Sequence, residues 1–152
     1  MQALIKHGVG LDQADDSGAT PLHLACYVGA GTVIAALHRA GVPLKGRPGE
    51  GKHELHLVAA SQRLDGLRTY LRCYGAAHIN APDQQGWTPA HYLGDAGGPI
   101  EMAQLLGRHG ADPSLETVQS SEAFPSGTTA ARMAFHWKDL DLAMALDEMT
   151  TT

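Results

Sequence analysis

Residues Asp15–Leu24 read DDSGATPLHL, and residues Asp83–Tyr92 read DQQGWTPAHY. Each stretch has an Asp, a Gly three residues later, then Thr-Pro, an apolar residue and His. The chemistry of the phrase is that of a helix start. The hydroxyl of Thr20 or Thr88 can accept a hydrogen bond from an orphan N–H of the first turn. Pro21 and Pro89 suit the first helical position, where a missing N–H costs nothing. Gly18 and Gly86 suit the turn just upstream. A phrase of this kind makes structure before it makes chemistry. Its recurrence calls for a search for a period.

The period is present on two independent rulers. The first continues through His53-Glu54-Leu55-His56, followed by Leu57-Val58-Ala59, and a degraded copy runs from Gly127 to Ala134 (GTTAARMA). The second is a set of short helical patterns ending at Gly8, Gly41, Gly75 and Gly110, which are 33, 34 and 35 residues apart. This spacing predicts helix starts near Pro21, Glu54, Pro89 and Ala130. Val33, Ile34 and Leu37 form the inner stripe of one second helix. Met102, Leu105 and Leu106 form that of another, and Leu140, Leu142 and Leu146 that of the last.

A period of about 33 residues with a Thr-Pro-Leu-His signature resembles the ankyrin repeat. The resemblance covers nearly the whole chain. It implies an all-α fold, an ankyrin-repeat solenoid of stacked helix-turn-helix units with short hairpin fingers. A single domain over 1–149 is expected, with a partial unit at 1–14. Full units follow at about 15–47, 48–82, 83–112 and 124–149, with an extended loop over 113–126. The chain would open inside the second helix of a unit, at Leu4–Gly8. No unit buries its apolar face alone, so units stack. The resemblance also implies that His23, His56 and His91 hydrogen-bond to neighbouring backbone and are structural.

Composition narrows the function classes. The chain has 152 residues, 43% hydrophobic and 5% aromatic, with a net charge of −5. An acidic balance without a basic stripe argues against nucleic-acid binding. No apolar run is long enough to span a membrane, and the N-terminus has no apolar core of a signal peptide. Cys26 and Cys73 fit no CxxC pattern and read as reduced thiols of a cytoplasmic protein.

The candidate chemistries are thin. His53-Glu54-Leu55-His56 looks like a zinc-protease helix, but its histidines stand at i and i+3 where that motif requires i and i+4. Cys26 lies where ankyrin units place Ala, so it reads as a small buried hydrophobe. Cys73 lies beside Arg72 and Tyr74 with no base in sight. Gly97-Gly98-Pro99 lacks the Lys and Ser/Thr of a phosphate loop. The sequence therefore predicts no enzyme, no metal and no cofactor. An enzyme or metal-binding protein using the histidines is the remote alternative, and a structural spacer of a larger protein is the nearer one.

What remains is surface. Ankyrin proteins bind partners on a concave face of finger tips and first-helix positions. Carried over, the tips give Asp16, Ser17, Glu50, Lys52, Gln84, Gln85 and Trp87. The helix positions give Tyr27, Val28, Asp95, His136 and Trp137. A non-enzymatic, monomeric module that binds another protein is the expected function. Trp87 reads as an exposed anchor, or as packing on a neighbouring finger; Trp137 reads as an anchor, or as a plug at the end of the array. Two segments break the rhythm. KGRPGEGK at 45–52 reads as a flexible finger. PSLETVQSSEAFPS at 113–126 reads as a polar surface loop with one aromatic, Phe124, although long loops also carry function.

Overall fold

Helices begin where Thr-Pro and its degenerate copies fall. The structure is a computed structural model that describes Asp16 and residues 19–44, 52–121 and 123–147. Ser17, Gly18, Glu50, the partial unit 1–14 and most of the finger at 45–52 lie outside the described residues. Among the described residues there are α1 (Pro21–Val28), α2 (Gly31–Arg39), α3 (Glu54–Ala60), α4 (Leu64–Tyr74), α5 (Pro89–Ala96), α6 (Ile100–Arg108), α7 (Ala130–His136) and α8 (Leu140–Asp147). They contain no β-strand. The four starts expected at Pro21, Glu54, Pro89 and Ala130 are those observed.

Local chemistry sets the boundaries. The Thr20 hydroxyl accepts from the His23 N–H at 3.2 Å, and the Thr129 hydroxyl accepts from the Arg132 N–H at 3.4 Å. These contacts satisfy donors that the first helical turn leaves open. The recurring terminal glycines also have a reason: Gly41, Gly75 and Gly110 all have positive φ, at 84°, 81° and 93°. That region penalises a Cβ.

The helices pair and the pairs stack. The first helices α1, α3, α5 and α7 pack in sequence on one another, and the second helices α2, α4, α6 and α8 do the same. Between the layers runs one continuous core that includes Leu22, Ile34, Leu37, Leu55, Leu67, Leu93, Met102, Leu106, Leu142 and Leu146. Full burial of such a side chain contributes about 1.5–3 kcal/mol. Tyr74 donates from its hydroxyl to the Val42 carbonyl at 2.8 Å, tying one pair to the next. Asn80 does the same one pair on, donating to the Gly110 carbonyl at 3.0 Å and accepting from the Asp112 N–H at 2.7 Å.

The stripes need correction at their edges. Val33 and Leu105 are only partly buried. Leu140 is exposed. It stands at the first position of α8, on a face that no further helix of the described residues covers.

Candidate functional site

The three histidines of the repeated phrase show what the phrase builds. Nδ1 of His23, His56 and His91 accepts the backbone N–H of Thr20, His53 and Thr88, each at 2.9 Å. The other ring nitrogen therefore carries the proton and points forward along the stack. From His56 it donates to the carbonyls of Ala81 (2.8 Å) and Trp87 (3.0 Å), and from His91 to that of Thr128 (3.0 Å). Burial holds both rings below the ordinary histidine range, against the opposing pull of those carbonyl hydrogen bonds and of Asp83. Both stay neutral and serve as cross-links between pairs.

His23 differs. Its Nε2 is buried without a hydrogen-bond partner and lies 3.6 Å from Glu54 Oε2. Glu54 occupies the first position of α3, where α1 and α5 carry Pro. The carboxylate is fully buried, and it favours the helix N-terminus. Cys26 is buried beside it, and desolvation, reinforced by the Glu54 charge, pushes the thiol pKa far up. Such a thiol is not a nucleophile.

The His53–His56 segment brings no metal site together. Both nitrogens of His56 are used, as described above. His53 instead stacks on His78 with ring centroids 3.9 Å apart. Burial and then the neighbouring His78 lower the His53 pKa. Among the described residues no group of three or more His, Cys, Asp or Glu is placed to hold a metal ion. Among the same residues no helix is long and apolar enough to cross a membrane.

The finger around Trp87 reverses one sequence expectation. Asp83 Oδ1 accepts from the N–H groups of Gln85 (2.9 Å) and Trp87 (3.0 Å), and its Oδ2 takes the Tyr92 hydroxyl. The tip closes through Asp83 N–H to the Trp87 carbonyl at 2.9 Å. The 113–126 segment then folds over it: Val118 N–H donates to the Gln85 carbonyl at 2.9 Å, and Thr117 pairs with Gly127 and Thr128. Its aromatic, Phe124, is buried against Trp87 at 6.2 Å, edge to face, with Met133 and Tyr92 completing the cluster. Trp87 is 8% exposed. The expectation that it stands outside the helix stack as an exposed anchor is therefore wrong. Its sequence neighbours Gln84 and Gln85 gave no sign of shelter, because the cover arrives from 37 residues downstream.

The other carried-over positions lie where an interface could use them. Tyr27 is 67% exposed, and Val28 is exposed beside it. Asp16, Gln84 and Gln85 are exposed; Lys52 is half-buried, with its ammonium 5.7 Å from the centre of the Tyr92 ring. Trp137 is 54% exposed and donates from Nε1 to Asp95 Oδ1 at 3.0 Å, bridging the ends of α5 and α7. His136 sits edge-on to Trp137 at 4.8 Å. The structure thus groups Asp95, His136 and Trp137 as one cluster and leaves Tyr27 and Val28 at the other end of the first-helix layer.

Sequence reasoning missed a groove beside that cluster. Phe124, Pro125, Phe135 and Leu140 wall a cavity of about 690 Å³, which the exposed Arg132, His136 and Lys138 also line. The pattern carried a faint signal, since the polar 113–126 insertion contains a single large aromatic.

The chain matches no protein-family model. It is similar to the human (Homo sapiens) protein Rabankyrin-5, with 32% identity over 83 residues. That match covers 55% of this chain and 7% of the relative's length. This partial similarity points to repeats of the ankyrin kind.

Proposed function

We propose that the chain is an ankyrin solenoid, with units at about 15–47, 48–82, 83–112 and 124–149, that binds a partner protein and catalyses nothing. The reading is supported by the alternate stacking of first and second helices, by the histidine cross-links of the Thr-Pro-x-His phrase and by the similarity to Rabankyrin-5. The observation that carries the functional part is the exposure of Tyr27 and Val28 at one end of the first-helix layer and of His136 and Trp137 at the other. Apolar and aromatic groups left in solvent on a rigid frame suit interface anchors. A rigid frame also loses little ordering entropy on binding. Asp16, Gln84, Gln85 and Asp95 supply a polar surround, and Trp87 belongs to the frame.

The test is affinity capture with the intact chain and with a Tyr27→Ala/Trp137→Ala variant. Loss of the captured partner with an unchanged melting temperature is the expected result. Equal capture by both proteins, or no partner for either, sinks the reading.

A further inference from the structure

We propose that the groove between the 113–126 segment and the outer face of α7 and α8 takes a short acidic segment of a partner protein, one bearing a bulky apolar side chain among carboxylates. The proposal rests on the partner-binding reading and names the chemistry of one part of that partner.

Size and lining come first. A cavity of about 690 Å³ is in the range of about 300–1,000 Å³ that holds compact ligands. Its walls are apolar: Phe135 is 65% exposed and Leu140 is also exposed. Its rim carries Arg132 and Lys138. Among the described residues neither Arg132 nor Lys138 stands in an ion pair. The chain as a whole has a net charge of −5. Two cations, with no carboxylate among the groove's lining residues, complement a ligand that is apolar in the middle and anionic beside it.

The alternative of another stacked helix pair conflicts with the side chains. In the first helices, Cys26, Ala59 and Gly94 occupy one register position, and all three are buried. At Gly94 a Cβ would overlap the Ala130 carbonyl oxygen of the next helix. The same position in α7 is Phe135. Similarly, His23, His56 and His91 share a position whose last member is Arg132. A bulky ring and a guanidinium replace the small residue and the forward-pointing imidazole with which each earlier first helix meets its successor. The outer face of α7 therefore lacks the small residue and the imidazole on which the earlier first helices stack.

Lys138 is also held in place. It has a φ of 65°, in the left-handed region that disfavours a side chain, and the short turn between α7 and α8 pins it through its N–H to the Phe135 carbonyl at 2.9 Å. The ammonium thus leaves from a fixed point on the rim.

The experiment titrates the whole chain with three blocked hexapeptides, followed by calorimetry and by amide chemical shifts. The sequences are Asp-Glu-Phe-Leu-Asp-Glu, its neutral twin Asn-Gln-Phe-Leu-Asn-Gln, and the apolar-free Asp-Glu-Ser-Ser-Asp-Glu. The first should bind roughly tenfold more tightly than the neutral twin, the size expected of two exposed ion pairs, and more tightly than the apolar-free peptide, which leaves the apolar walls uncovered. Shifts should centre on Arg132, Phe135 and Lys138. Arg132→Gln with Lys138→Gly should erase the preference over the neutral twin. Lys138→Gly relieves an unfavourable φ, so this variant keeps its fold. Equal binding of all three peptides, no binding, or indifference to the rim variants overturns the proposal. A loss seen only with Tyr27→Ala overturns it too, while leaving the partner-binding reading intact. Self-association abolished by Phe135→Ser gives the face to a second copy, and likewise overturns it.

Discussion

His91 on α5 donates from Nε2 to the carbonyl of Thr128, 37 residues further on, across a distance of 3.0 Å. Its Nδ1 meanwhile accepts from Thr88. One neutral ring thus ties the start of its own helix to the entrance of the next pair. Removing it orphans a buried N–H and a buried carbonyl. His91→Ala should lower unfolding free energy by about 1–3 kcal/mol, read from the urea midpoint. No change in midpoint would show that the cross-link is idle.

The same geometry sets a pH dependence. Burial depresses the folded-state pKa of His56 and His91, so the unfolded chain takes up protons first as pH falls. The stability these rings contribute is present above the unfolded value, near ~6.5. It is lost as pH falls through their lower folded values. Urea midpoints should hold near neutrality and decline on acidification, with His91→Ala showing a shallower decline. A midpoint that rises on acidification contradicts the assigned neutral state.

Trp87→Ala should destabilise the protein by about 3–5 kcal/mol, the range for truncating a buried large aromatic. Phe124→Ala should do nearly as much. The two losses should fall short of additivity by about 0.5–1.5 kcal/mol, because the rings meet edge to face. Strictly additive losses would separate the 113–126 segment from the finger energetically.

Leu22→Ala should cost about 2–5 kcal/mol, since Leu22 is fully buried in the continuous core. Leu140→Ala should stay within about 0.5 kcal/mol, since its side chain is largely in solvent. Chemical denaturation of the two variants side by side checks both. A reversal of the order would mean that α8 packs through its other face.

Gly94→Ala should cost about 1–3 kcal/mol, the range for overpacking. The added carbon would meet the backbone carbonyl of Ala130, which cannot rotate away as a side chain would. Thermal melts decide it: an unchanged or raised Tm would show that α5 and α7 can separate slightly at no cost.

The sequence is most legible where a rule is local. Thr20-Pro21 and Thr88-Pro89 mark helix starts because cap and first position are neighbours along the chain. Glu54 lacks that punctuation and Ala130 keeps only its Thr, at Thr129, so the period is what marks these two starts. The terminal glycines follow from backbone conformation, again a local matter. Legibility ends where a partner comes from far away. Trp87 looked exposed because its cover, Phe124, belongs to an insertion with a polar composition. Leu140 looked internal because periodicity shows which residues share a face and says nothing of whether another helix covers it. The Glu54–His23 contact was hidden for a similar reason: each residue had a good local explanation. Tyr27 and Trp137 were placed in solvent by register, and there the structure leaves them.

The alternation of pairs has a mechanical consequence. Each helix packs within its pair and on adjacent pairs, so no single interface holds the two ends of the array together. Pulled from its termini, such a stack should peel one layer at a time, with the force at each step set by a single joint and not by the total length. The His91–Thr128 and His56–Ala81 links lie across successive joints and would act as the teeth of the zip. The α1–α3 joint, where a carboxylate faces His23 in place of a backbone carbonyl, is a seam of different make from the α3–α5 and α5–α7 joints.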